Sequence, residues 1–306
     1  MRRVWAILLF TLAVPLSAAQ EQAPERQRPE DLASLLPEGT LLMIECDDLG
    51  GWAARSRESA IGRILSDPEM QAFLQPLHES IHKALVNFTS VADAPAMLGL
   101  SWEDFQGIEI QRAGFAVADL STDWWPVPDM LLTLQFRKGG DKAQKIVAAL
   151  QDAAANFGAA FEEIEVRGRK VMHGRMQSVD LFMGMGGDRL FITTRKVRIE
   201  QIYAARDGEL QKSLAASPRF KQIIDTMGAQ RRGFLLYADV KRGLQQVVPM
   251  ATAGSDRARA EVEQHLALSG FDKVEALAIA DIPAGTGYRS ELALTMSERT
   301  GFLAVL

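Results

Sequence analysis

Val4 to Leu16 is an almost unbroken apolar run. It follows the basic start Met1-Arg2-Arg3 and closes on the small residues Ser17-Ala18-Ala19. That order is the layout of a secretory signal peptide, with cleavage expected after Ala19 (residues 1–19). The run is too short to span a bilayer, since a membrane helix needs roughly twenty residues. Residues 20–33 turn polar, with Pro24 and Pro29, and read as a flexible tether. Beyond them the pattern switches repeatedly between period two and period 3.6.

Residues 40–46 read as a strand. Leu49, Trp52, Ala53, Ile61 and Ile64 recur at helical spacing. Ser66-Asp67-Pro68-Glu69 opens a helix that runs through Phe73, Leu77, Ile81, Leu85 and Phe88. Strands are expected over 107–120 and 129–137, then a helix over 142–157. Short strands follow across 161–194, broken at Arg167-Gly168-Arg169 and Gly186-Gly187-Asp188, which read as hairpin turns. Helices are predicted over 197–205, from Ser217-Pro218, over 241–248 and over 256–268. Strands are predicted over 233–239, 273–282 and 288–297. This succession gives an α+β fold, with antiparallel or mixed sheets covered by helices.

The second half echoes the first. Laid side by side without a gap, residues 115–139 meet 277–301. Phe115-Ala-Val-Ala-Asp-Leu120 meets Leu277-Ala-Ile-Ala-Asp-Ile282, Leu132-Thr133 meets Leu294-Thr295, and Arg137 meets Arg299. Residues 41–46 have a looser counterpart in 234–239. Shared Asp, Thr and Arg at one offset go beyond common alternation, so two related halves are expected: residues 34–160, and a hairpin region with a shortened second unit over 161–306.

Composition narrows the function. A hydrophobic fraction of 47% and a charged fraction of 24% are ordinary for a folded domain. A net charge of -5 argues against a nucleic-acid partner. Cys46 is the single cysteine, so no intrachain disulfide can form. Neighbouring carboxylates raise a thiol's pKa, so Cys46 reads as a buried structural thiol.

Several motifs offer chemistry. His78-Glu79-Ser80-Ile81-His82 matches His-Glu-x-x-His on a predicted helix. Spacing of four puts both imidazoles on one face, where they could grip zinc while Glu79 serves as general base. Lys83 beside the motif, Pro76 just before it and the absence of a recognisable third ligand weigh toward solvated histidines. A zinc-dependent hydrolase or peptidase is therefore the alternative reading. Ser80-Ile81-His82-Lys83 matches Ser-x-x-Lys but lacks that motif's companions. Met172, His173, Met176, Met183 and Met185 cluster in the predicted hairpins, where thioethers could hold Cu(I); their alternation fits packed strands better. Gly184-Met185-Gly186-Gly187-Asp188 precedes a strand, and a phosphate loop must open onto a helix. Trp124-Trp125-Pro126-Val127-Pro128 places two aromatics in a stiffened loop, suited to a protein or carbohydrate partner. No residue is assigned a catalytic, cofactor-binding or metal role, and no cofactor is expected.

Leu36-Pro-Glu-Gly-Thr40, the strand ending in an acidic pair, Ser59-Ala-Ile-Gly-Arg-Ile-Leu65 and Asp67-Pro-Glu-Met-Gln-Ala-Phe-Leu74 together resemble the exported bacterial proteins of domain-of-unknown-function family 3352. The resemblance is clearest over residues 36–75. It implies α+β modules outside the cytoplasm and assigns no catalytic site. The sequence therefore points to an exported, non-enzymatic binding or scaffold protein, periplasmic or extracellular, with no membrane span once the leader is removed.

Overall fold

Period-two segments dominate the chain, and they assemble into one sheet. The computed structural model describes residues 31–48, 110–120, 128–136, 147–148, 160–176, 179–209, 212–228, 233–252, 255–284 and 287–298. Its strands are β1 (Leu42–Asp47), β2 (Ile110–Asp119), β3 (Asp129–Phe136), β4 (Ala160–Val166), β5 (Arg169–Met176), β6 (Val179–Gly186), β7 (Arg189–Thr193), β8 (Phe234–Ala238), β9 (Val274–Ala284) and β10 (Gly287–Met296). They form a ten-stranded sheet in the order β10-β9-β8-β1-β2-β3-β7-β6-β5-β4. Every pairing is antiparallel, so of the two expected arrangements the antiparallel one is observed.

Local chemistry sets the turns and helix ends. Arg167 and Gly168 both adopt positive φ, 52° and 73°, between β4 and β5. A tight hairpin turn needs that conformation to match strand twist. Helices bounded within the described residues are α1 (Leu32–Leu35), α2 (Lys196–Arg206), α3 (Pro218–Met227), α4 (Val240–Ala251) and α5 (Asp256–Ser269). Pro218 opens α3 and Gly228, at φ 60°, closes it. Asp239 caps α4 by accepting from the Arg242 N–H at 3.0 Å. α1 was not anticipated: it begins inside the stretch read as a tether, and its Leu32 and Ala33 are fully buried.

Alternation along the strands divides the apolar residues between two faces. On one face, Met43, Ala116, Leu131, Val171, Phe182, Phe191, Leu235 and Tyr237 pack under α1, α2 and α3. This core draws on both predicted halves. Ala276, Ala278 and Ala280 present only methyl groups on this face, which lets α3 lie close to β9. Gly184 serves α2 similarly: a Cβ there would stand 2.2 Å from the Tyr203 hydroxyl and 2.6 Å from Ile199 Cδ1. On the opposite face, Cys46, Phe115, Leu132, Leu134, Phe136, Met183, Leu190 and Ile192 form a second cluster. β3 is buried along its whole length, as expected of a strand covered on both sides.

The arrangement has a symmetric element. β8-β9-β10 run outward from the β1–β8 junction in the order in which β1-β2-β3 run the other way. The registers coincide over four cross-strand pairs, from Gly114 to Val117 and from Ala276 to Ile279. Phe115 lies opposite Leu132 and Gly114 opposite Thr133. Leu277 lies opposite Leu294 and Ala276 opposite Thr295.

Candidate functional site

Polar side chains hold both roots of the β2–β3 connection. On the β2 side, Gln246 of α4 accepts the Leu120 N–H at 2.9 Å and donates to Asp119 Oδ1 at 2.5 Å. On the β3 side, Thr194 donates its hydroxyl to the Pro128 carbonyl at 2.7 Å and accepts the Met130 N–H at 3.0 Å. Asp129, the first residue of β3, meets Arg198 of α2 through two bonds, 2.5 and 3.3 Å long. Both partners of that pair are buried. Charged donors and acceptors make shorter, stronger hydrogen bonds, and a bidentate guanidinium also fixes direction. Elements from distant parts of the chain therefore clamp the two ends of segment 121–127. Trp124 and Trp125 lie in that segment, outside the described residues.

The hairpins place the methionines differently from the copper expectation. Met172 and Met183 are cross-strand partners, and Met183 and Met185 lie two apart on β6, so these three share a face. Met183 is buried there, with Met172 and Met185 packed alongside it. His173 points to the other face. Its ring stacks on Phe182 at 4.6 Å, and its two nitrogens stand 3.1 Å from Glu162 and 3.1 Å from Asp180. The structure thus separates His173 from the thioethers and ties it to β4 and β6. The side chain of Met176 lies outside the described residues. Among those described, no group of three or more His, Cys, Asp or Glu is placed to hold a metal.

Gly187-Asp188 forms the β6–β7 turn, with Gly187 at φ 65°, and β7 follows directly. The segment 78–82, with His78, Glu79, Ser80, Ile81 and His82, lies outside the described residues. Cys46 is buried against Phe115 and its neighbours. Burial, and then the charges of Asp47 and Asp48, push its thiol far up, away from the reactive thiolate.

A buried carboxyl was missed by sequence reasoning. Glu45 of β1 is almost unexposed, and its Oε1 accepts the Leu32 N–H at 3.0 Å. Asp31, the N-cap of α1, is a charged neighbour of this carboxyl. Burial first, and then the Asp31 charge, push Glu45 up to about 8. An acidic residue between the apolar positions Ile44 and Cys46 is the only signal the sequence offered.

The comparisons with known proteins are sparse. No family model matches the chain. No curated protein matches it either. Among solved structures, one crystal form of TP0453 is similar at a TM-score of 0.40 and 10% identity, covering 90% of this chain and 84% of that one. A second crystal form of TP0453 gives a TM-score of 0.38 and 11% identity, covering 86% and 79%. Likeness at this level assigns neither a fold family nor an activity. Among the described residues, no helix is long and apolar enough to cross a membrane.

Proposed function

We propose that this chain is an exported, non-enzymatic binding or scaffold protein, which presents an aromatic loop on a rigid antiparallel sheet. The observation that carries the reading is the clamping of both ends of segment 121–127 by Gln246, Thr194 and the Asp129–Arg198 pair. Recognition residues commonly sit on loops held by rigid scaffolds. Two tryptophans in such a loop bring large contact area at low entropy cost, suited to a sugar ring or an apolar protein patch. Use of ionisable groups as braces also supports a scaffold. Asp47 faces Arg112, Asp207 faces Arg169, and Asp239 faces Arg219. The leader pattern of residues 1–19 supports export, and the resemblance to family 3352 agrees with it.

The same reading takes β1-β2-β3 and β8-β9-β10 as copies of one ancestral unit. The matching registers and the mirrored strand order support that duplication.

The test is a glycan and peptide array probed with the mature chain and with a Trp124→Ala/Trp125→Ala variant. Selective binding by the first, lost in the second with thermal stability within about 0.5 kcal/mol of the parent, is the expected result. A mature chain that binds nothing selectively contradicts the proposal, as does binding that survives the double substitution.

A further inference from the structure

The two ends of the sheet present different edges. At one end, β4 carries Glu162, Glu163 and Glu165 within seven residues. Acidic residues crowded along an edge repel a second copy of that edge. At the other end, β10 is ten residues long and carries one base and one acid, Arg289 and Glu291, which stand 2.8 Å apart. Among the described residues, no strand lies beyond it. A long edge with little charge is a template for another strand.

The interior of the sheet shows what such a strand does. β3 holds the place in the β2–β3 pair that β10 holds in the β9–β10 pair. In the coinciding part of the register, Met130 answers to Leu292 and Leu132 to Leu294. β7 pairs with the outer edge of β3, and Met130 and Leu132 are 3% and 1% exposed. On β10, Leu292 and Leu294 are 63% and 38% exposed. They lie opposite Ile279 and Leu277, which are only partly buried. An apolar stripe therefore reaches the outer edge of β10 on one face.

Charges on the other face select the strand that fits. Arg289 and Glu291 share that face, with Ser290 between them. A two-fold axis through Ser290 sets Arg289 of one copy opposite Glu291 of the other, and does so twice. In the same register, Leu292 of each copy lies opposite Tyr288 of the other, an aromatic–aliphatic pair on the face of the apolar stripe. No like charges meet across the axis. We propose that two copies of this chain pair antiparallel along β10 about that axis, joining their sheets edge to edge. The interface is small for a stable dimer, so association in the micromolar range is expected.

Sedimentation velocity of the mature chain over a range of concentrations tests this. Its mass should rise with concentration from that of one chain toward that of two. Arg289→Glu leaves two acids on the edge and Glu291→Arg leaves two bases. Each variant alone should dimerise at least about tenfold more weakly than the parent. An equimolar mixture of the two restores opposite charges across the axis and should regain the parent's affinity. Ser290→Cys gives an independent check if a charge variant does not fold. A residue on the axis faces its own copy, so mild oxidation should yield a disulfide-linked dimer, with Cys46 buried and out of reach. A parent chain that stays monomeric up to about 100 μM would overturn the pairing. So would dimerisation indifferent to both charge changes, a mixture no tighter than its components, or a Ser290→Cys chain that yields no cross-linked dimer.

Discussion

Arg198→Ala is expected to destabilise the fold by about 3–5 kcal/mol, measured by urea unfolding at neutral pH. The substitution leaves Asp129 buried without its bidentate partner, and an uncompensated charge in a buried site is among the costliest single defects. Its side chain is 6% exposed and that of Asp129 11%, so water cannot readily replace the guanidinium. The damage should also reach the β2–β3 connection, because Asp129 begins β3 beside the Thr194 bonds. A paired change separates charge from packing. Arg198→Met with Asp129→Leu removes both charges and keeps apolar bulk, and it should cost less than Arg198→Ala alone. A loss under about 1 kcal/mol for Arg198→Ala would show that the pair does not brace the loop root.

Tyr203→Ala should cost a comparable ~3–5 kcal/mol, the usual penalty for truncating a buried aromatic. Tyr203 is completely buried, and its hydroxyl donates to the Met185 carbonyl at 3.2 Å. Its ring meets Phe191 edge-on at 6.5 Å, and the Arg169 guanidinium lies 4.7 Å from its centroid. It fills the space that Gly184 leaves open on β6, so its loss opens a cavity between α2 and the sheet. Tyr203→Phe should cost only about 1 kcal/mol, the worth of one neutral hydrogen bond. Thermal unfolding of the two variants checks the ratio. Equal losses would place the stabilisation in the hydroxyl, contrary to this account.

Much of the sheet was legible because its signals are local. Arg167-Gly168 announces a hairpin, since glycine tolerates the positive φ that the turn imposes. Within the described parts of 115–139 and 277–301, the pairs from Phe115–Leu132 to Val117–Met130 sit at the same offset as those from Leu277–Leu294 to Ile279–Leu292. The looser match of 41–46 with 234–239 is displaced by one residue. If Val117 answers to Ile279, their partners Leu42 and Leu236 answer to each other, where the sequence had set Leu42 against Leu235. Runs of consecutive apolar residues fit either frame, and only pairing decides which face each occupies.

What escaped the sequence depends on tertiary context. α1 spans four residues, too few for a helical period to declare itself, and it is held by burial. No sequence pattern links Arg198 to Asp129; only the fold brings them together. Met172 and His173 are adjacent in sequence and both suit metal, yet strand alternation sends them to opposite faces. That separation was available from parity alone. Glu45 lies within β1 and its donor Leu32 begins a short helix, so no spacing rule announces their hydrogen bond.

The two ends of the sheet form one frame, joined where Met43 of β1 lies opposite Tyr237 of β8. Pulsed hydrogen exchange across a urea titration tests that most directly, comparing peptides from β2–β3 with peptides from β9–β10. A shared core predicts that both sets lose protection at one common urea midpoint. Loss of β9–β10 at clearly lower urea, while β2–β3 stays protected, would mean two independently folding units and would contradict the single frame.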